Sequence, residues 1–454
     1  MGFSPTQPVH FVGVGGFGMS AIARVMLQRG YRVTGSDRAE NALTRQLAAA
    51  GAHVFIGHAA AQIGDAQAVI ISSAVQPDNP EVQAARERGL PVLKRSEMLT
   101  ALLDGYQTLA VAGTHGKTTT SAMLAHILRT TGHDPSYIVG GVLANTGDNA
   151  HHGAGRAFVI EADEYDNMFH GLRPQVALVT SLEYDHPDFF PTYDAMIASF
   201  AAFVRQLDPR GRLIVCAEDD ARRLAEFSPA PVVTYGCGAG EWRVADLRYE
   251  GDRMRFAVRR GDATVAEAEL GVYGQHNALN ALGAALAAEA HGVALAEALA
   301  ALASFRGTGR RFEVKGEADG VIVIDDYAHH PTAIATTIEA ARRRYPRHTL
   351  WAVWQPHTFS RTLELLDEYA RAFDQAHHAL VTDIFPSREA FTDRVHSRDV
   401  VARMTHPDAR ATGDLHATAQ ALIAEVAAPA VILIMSAGDA PKIGELFLAA
   451  RGAS

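Results

Sequence analysis

Leu109-Ala-Val-Ala-Gly-Thr-His-Gly-Lys-Thr-Thr-Thr120 is the stretch from which the rest of the chain can be read. A short apolar run suited to a buried strand stops at Gly113. A loop with one lysine and three threonines follows, and Ser-Ala-Met-Leu-Ala-His-Ile-Leu from 121 continues as a helical pattern. Strand, glycine loop and helix in that order make a nucleoside triphosphate site. Backbone N–H groups and the helix N-terminus hold phosphate oxygens, a lysine meets the outer phosphates, and a hydroxyl ligates Mg²⁺. The usual spacing, G-x-x-x-x-G-K-[ST], is shortened here, with Val111 in the place of the first glycine. ATP is therefore the expected co-substrate, held by Gly113, Thr114, His115, Gly116, Lys117, Thr118 and Thr119.

The chain has 454 residues, enough for roughly three units of about 150 residues each. Its 48% hydrophobic and 20% charged residues are ordinary for a globular protein, and a net charge of −10 argues against a nucleic-acid partner. The apolar runs are too short to span a bilayer, and MGFSPTQPVHF lacks a basic region followed by an apolar stretch, so a cytoplasmic protein without membrane insertion is expected. Cys216 and Cys237 provide neither a disulfide framework nor a metal cluster. Monomer and homodimer stay open.

Around the phosphate loop the pattern alternates. Strands are expected at 9–14, 31–37, 53–56 and 68–73, with a helix at 19–28, making a doubly wound α/β unit over 1–105. The apolar runs 157–161, 175–180 and 211–216 suit buried parallel strands. Residues 232–270 look like antiparallel hairpins, and an alanine-rich helix covers 277–290. This second unit is taken as 106–306. Two glycines in Phe305-Arg-Gly-Thr-Gly-Arg-Arg311 mark the linker to a third α/β unit, 307–454, with strands at 321–324, 349–353, 379–382 and 430–434. The fold class is α/β in three domains: Rossmann-like, a central P-loop ATPase-like parallel sheet, and Rossmann-like again.

Gly13-Val-Gly-Gly-Phe-Gly18 satisfies G-x-G-x-x-G, and Asp37 closes the next strand. The physics licenses any nucleotide diphosphate, NAD(P) or a UDP-sugar alike, because the same amides admit either pyrophosphate. Glu161-Ala-Asp-Glu-Tyr-Asp166 places four carboxylates at a strand end beside the expected triphosphate, which suits Mg²⁺. Glu183-Tyr-Asp-His-Pro-Asp188 follows the next strand. Ligands of open parallel sheets collect beyond strand C-termini, so Lys117, Glu161 and His186 can share one crevice. Asn277 and Asn280, spaced i, i+3 on one helix face, suit a nucleotide base, a phosphate or simply a cap.

With these motifs assembled, the chain resembles the Mur ligase family, ATP-dependent amide-forming enzymes of peptidoglycan synthesis. GVGGFGMSAIA, GTHGKTTT, EADEYD, EYDHPD, GQHNALNA, GRRFE, DDYAHHPT and QPHTFSRT occur in family order nearly end to end. The resemblance implies that Lys117 and the loop amides hold ATP, with Asn277, Arg311 and Asp326 fixing it as the third unit closes. It implies a metal on Thr118, Glu161 and His186, with Mg²⁺ expected and Mn²⁺ an alternative. Gly13, Gly15, Gly16, Gly18, Asp37, Ser72 and Ser73 would hold UDP-N-acetylmuramate. Tyr327, His329, His357 and Arg361 would meet the amino acid, and Lys117, His186, His329 and Arg361 would be the catalytic set.

Three residues depart from the family pattern: Thr358 in place of an arginine, Tyr165 in place of a serine, and His396 in place of a glycine. No lysine occurs at 193–203, so the carbamylated lysine of some family members is not expected. L-Alanine is the expected acceptor, on the form of the first glycine loop. The tripeptide L-Ala-γ-D-Glu-meso-diaminopimelate is the alternative, and Tyr165 with the Glu183-Tyr-Asp-His run leans that way. More distant alternatives are a nicotinamide-dependent dehydrogenase and a regulatory P-loop ATPase.

Overall fold

Apolar runs bounded by glycine loops fold as the alternation demands. The computed structural model describes residues 2–72, 74–387 and 389–452, arranged as three sheets with flanking helices. The first sheet is parallel throughout, in the order His53–Ile56, Val33–Asp37, Val9–Val12, Ala68–Ile71, Val92–Lys94. Chain order reverses between Val9–Val12 and Ala68–Ile71, and the crevice at such a reversal is where an open sheet takes its ligand. Gly13 sits there with φ of +78°, and a Cβ on it would lie 3.2 Å from Ser72 Oγ.

Ten strands form the middle sheet. Its parallel core runs Val232–Gly236, Arg212–Cys216, Val176–Val179, Gln107–Ala112, Ala157–Glu161, Ser136–Ile138. Both faces are covered, which is why these strands read as continuous apolar runs. Helix Lys117–Thr130 packs against helix Gln275–His291, and Gly283 lets the latter approach the sheet closely, since a Cβ there would come within 2.8 Å of the Tyr235 hydroxyl. Trp242–Glu250, Arg253–Arg260 and Ala263–Leu270 continue the sheet as antiparallel hairpins. The hairpin reading of 232–270 needs one correction, because Val232–Gly236 pairs parallel with Arg212–Cys216 and belongs to the buried core.

The linker is pinned, not free. Leu143 and Thr308 form an antiparallel bridge, Gly309 N–H donates to the Val142 carbonyl at 2.8 Å, and Phe305 is buried. The third sheet runs Glu313–Ala318, Val321–Asp326, Ala430–Met435, Thr349–Trp354, His378–Thr382, Ala409–Gly413, parallel except for its first hairpin. Among the described residues no helix is long and apolar enough to cross a membrane.

Candidate functional site

The loop after Gln107–Ala112 bends through two glycines that no other residue replaces without strain. Gly113 has φ of +132° and Gly116 φ of +80°, and a Cβ on Gly116 would lie 2.5 Å from Asn280 Oδ1. Helix Lys117–Thr130 starts at Gly116 with no capping side chain among the described residues, so its first N–H groups face the loop as a phosphate would require. Thr114 N–H donates to the Ser181 carbonyl at 3.0 Å, His115 N–H to Ser181 Oγ at 3.0 Å, and the Thr114 hydroxyl to the Glu183 carbonyl at 2.8 Å. These two residues, expected to offer amides to phosphate, spend them on the neighbouring strand end in this structure.

Lys117 Nζ donates to the Gly113 carbonyl at 2.5 Å, the Thr114 carbonyl at 3.2 Å and Glu164 Oε1 at 2.8 Å. Burial works against its charge, but the carboxylates of Glu164 and Asp163 outweigh burial and raise its pKa. In the sequence Glu164 is only one of the four carboxylates of the 161–166 run. It is buried, burial lifts its carboxyl to about 7 against the opposing pull of Lys117, and its Oε2 has no hydrogen-bond partner among the described residues.

Glu161 is held by the Thr118 hydroxyl at 3.0 Å and by Gly140 N–H at 2.7 Å. His186, at φ of +57°, sits on the other side of Glu164, its Nε2 3.7 Å from Glu164 Oε1. Burial lowers the His186 pKa, with Asp185 opposing, which favours the neutral ring that a metal ligand must have. The oxygen donors around Thr118 and the orphaned Glu164 oxygen fit a hard divalent cation.

The third unit reaches into this crevice. Arg361, itself buried, donates through Nε to Asp185 Oδ1 at 2.9 Å and through Nη2 to His186 Nδ1 at 3.3 Å; its Nη1 lies 3.1 Å from His357 Nδ1. Arg311 Nη2 lies 3.4 Å from the Thr118 hydroxyl with its guanidinium over the Tyr327 ring. Asp326 accepts from Phe312 N–H and Ala328 N–H at 2.7 Å each, which shapes the linker around Arg311. His329 donates through Nδ1 to the Tyr327 carbonyl at 2.8 Å, and its ring centre is 5.8 Å from that of His357. Asn277 and Asn280 lie beneath the loop, where Asn277 Nδ2 donates to the Tyr273 carbonyl and Asn280 Nδ2 to Asn277 Oδ1.

The first unit's crevice holds Gly13, Gly15, Gly16 and Gly18, with Gly15 N–H donating to Asp37 Oδ2 at 2.8 Å. Ser72 lies beside Gly13, and Ser73 lies outside the described residues. Arg95, missed in the sequence, crowds Gly18 and pairs with Asp163 at 3.4 Å, so it bridges the glycine loop and the acidic strand end. A lone arginine opening a helix carries no sequence signal for that placement. The departures also have local accounts. The Thr358 hydroxyl caps helix Phe359–Glu364, the Tyr165 hydroxyl donates to Asp188 Oδ2 with its ring 5.1 Å from His186, and His396 stands at the N-cap of Ser397–Val401.

A phosphate loop ringed by carboxylates, with a third α/β unit closing arginines over it, defines an ATP-dependent ligase. The chain belongs to the Mur ligase family. The Mur ligase family catalytic domain matches residues 8–107, the Mur ligase middle domain 111–288, and the Mur ligase glutamate ligase domain 310–438. The UDP-N-acetylmuramate--L-alanine ligase of Rubrobacter xylanophilus is 44% identical over 97% of this chain and 99% of its own length. Among solved structures, the UDP-N-acetylmuramate-alanine ligase of Thermotoga maritima superposes with a TM-score of 0.84 at 28% identity, covering 98% of this chain and 99% of that one. The murein peptide ligase of Psychrobacter arcticus superposes at 0.75 with 28% identity, covering 99% of each chain.

Proposed function

We propose that this chain joins L-alanine to the carboxylate of UDP-N-acetylmuramate at the expense of ATP, with release of ADP and phosphate, as a step in peptidoglycan precursor synthesis. The observation that carries this reading is the shared crevice. Lys117, Thr118, Glu161 and Glu164 stand at strand ends of the middle unit, and Arg311 and Arg361 reach them from the third. End-to-end similarity to L-alanine ligases supports the choice of substrates.

A carboxylate is a poor electrophile, so its oxygen first attacks the γ-phosphate in line, which gives an acyl phosphate and ADP. Lys117, released from Gly113 and Thr114 by the incoming triphosphate, offsets the charge crowded at that transition state. Thr118, Glu161 and His186 would hold Mg²⁺, which supplies further charge neutralisation when bound. The L-alanine ammonium must lose a proton before its nitrogen attacks the acyl carbon and phosphate leaves. His329 suits that task by its hydrogen bonding: its Nδ1–H is committed to the Tyr327 carbonyl, which leaves Nε2 to accept the proton, and burial keeps the ring neutral beforehand. Closure of the third unit excludes water from the acyl phosphate. In the first unit the Gly13–Gly18 loop, Asp37 and Ser72 would hold the UDP moiety.

ADP release measured with each substrate omitted in turn tests the reading. Release that requires both UDP-N-acetylmuramate and L-alanine supports it. Release independent of the UDP-sugar would point to a plain ATPase and refute it.

A further inference from the structure

Three side chains converge on the side of the phosphate loop that faces the third unit, and none contributes its ring or carboxylate to the steps above. His115 follows strand Gln107–Ala112, Glu183 follows Val176–Val179, and His330 precedes helix Pro331–Arg344. One nitrogen or oxygen from each lies within 4.8 Å of the other two. His115 Nε2 is 2.7 Å from Glu183 Oε2, and His330 Nδ1 is 3.6 Å from the same oxygen.

His330 supplies an independent observation. It is 4% exposed, and its Nδ1 has no hydrogen-bond partner among the described residues. Its Nε2 lies 3.3 Å from the Tyr184 carbonyl, which can only accept, so the ring proton sits on Nε2 and Nδ1 is a bare lone pair. That lone pair is aimed at a carboxylate. Burial disfavours the Glu183 charge, but the hydrogen bonds from His115 Nε2 and the Thr332 hydroxyl outweigh it and lower its pKa, so the carboxylate is ionised. Two acceptors facing each other in a half-buried crevice repel, and a cation between them removes the conflict.

We propose that His115, Glu183 and His330 form a transition-metal site of the Zn²⁺ class that bridges the middle and third units. Two imidazoles among three protein ligands favour Zn²⁺ over Mg²⁺, and three ligands leave a fourth position for water. Four-coordinate zinc with bonds near 2.05 Å sets ligand atoms about 3.3 Å apart, and the measured 2.7 and 3.6 Å straddle that separation. The outer contacts a metal site needs are present: Tyr184 fixes the His330 tautomer, and the Thr332 hydroxyl orients Glu183 Oε1 at 2.7 Å. His115 would carry its proton on Nδ1 when the ion is bound. The ion ties the phosphate loop to the helix of the closing unit, so it stabilises the closed arrangement and slows any turnover that depends on opening.

The test uses full-length, tag-free, metal-stripped protein. Zn²⁺ affinity is read by competition with a chromophoric chelator, and Co²⁺ is used as a spectroscopic probe. We expect one tight equivalent, intense visible bands of four-coordinate Co²⁺, and a Tm that rises with Zn²⁺. Glu183→Gln and His330→Gln should each weaken the site roughly 100-fold or more, while Glu161→Gln should leave it intact. The absence of a tight equivalent, or a weak six-coordinate Co²⁺ spectrum in the unaltered protein, overturns the proposal whether or not any variant folds. Binding that survives both Glu183→Gln and His330→Gln, or that Glu161→Gln abolishes, overturns it as well.

Discussion

Lys117 Nζ rests among two backbone carbonyls and one buried carboxylate, a set of partners that a triphosphate must outcompete. Lys117→Ala should cut ADP formation by roughly 10²–10³-fold, the scale on which one charge-stabilising donor matters. UDP-sugar binding, measured by calorimetry, should stay near the unaltered value, because those contacts are assigned to the first unit. Near-normal turnover would remove the lysine from the ATP site. Glu161→Gln and His186→Ala should shift the Mg²⁺ titration of turnover upward, most visibly at low metal. An unchanged titration in both would make them structural. Glu161 and His186 were legible because each follows an apolar run that ends in acidic or imidazole residues. Glu164 was not, since its role comes from burial between Lys117 and His186, which residues 47 and 22 positions away in sequence create.

At the scale of elements, legibility followed burial. The parallel core strands 157–161 and 212–216 are apolar on both faces and stand out, whereas Glu313–Ala318 and Ala409–Gly413 are half-exposed edge strands with mixed composition and were missed. Trp242–Glu250 was covered only by the general hairpin reading of 232–270, because a bulge between Ala245 and Arg248 breaks its alternation. A buried polar network in the first unit is likewise invisible in sequence. Glu81 accepts from Ser36 at 2.7 Å and lies 3.2 Å from His10 and 2.8 Å from His58. Burial alone would raise its pKa, but the hydrogen bonds with His10, Ser36 and His58 win, and the carboxyl falls below its ordinary 4.5. A depressed carboxylate adds stability above its unfolded pKa and loses it as pH falls through the folded value. Glu81→Gln should therefore cost about 1–3 kcal/mol at pH 7, a gap that narrows below about pH 4. Thermal unfolding at both pH values measures it, and an equal gap at each would contradict the account.

At the scale of the whole molecule, the proposed reaction requires the three units to meet. Arg95 with Asp163 joins the first to the second, and Arg361 with Asp185 joins the third to the second. The order of motifs made three α/β units readable, but which side chains cross between sheets depends on packing that no spacing encodes. On the proposed reading the acceptor is chosen at this scale too, by the space the third unit would leave beside His329, His357 and Arg361. A pocket shaped for one methyl group discriminates an added methylene by only about 1–3 kcal/mol, so glycine and L-serine should show weak but measurable activity. The most direct test of the central claim is kcat/KM for L-alanine and for L-Ala-γ-D-Glu-meso-diaminopimelate, measured on one preparation with UDP-N-acetylmuramate and ATP. The account predicts a value far higher for L-alanine, and a preference for the tripeptide would contradict it.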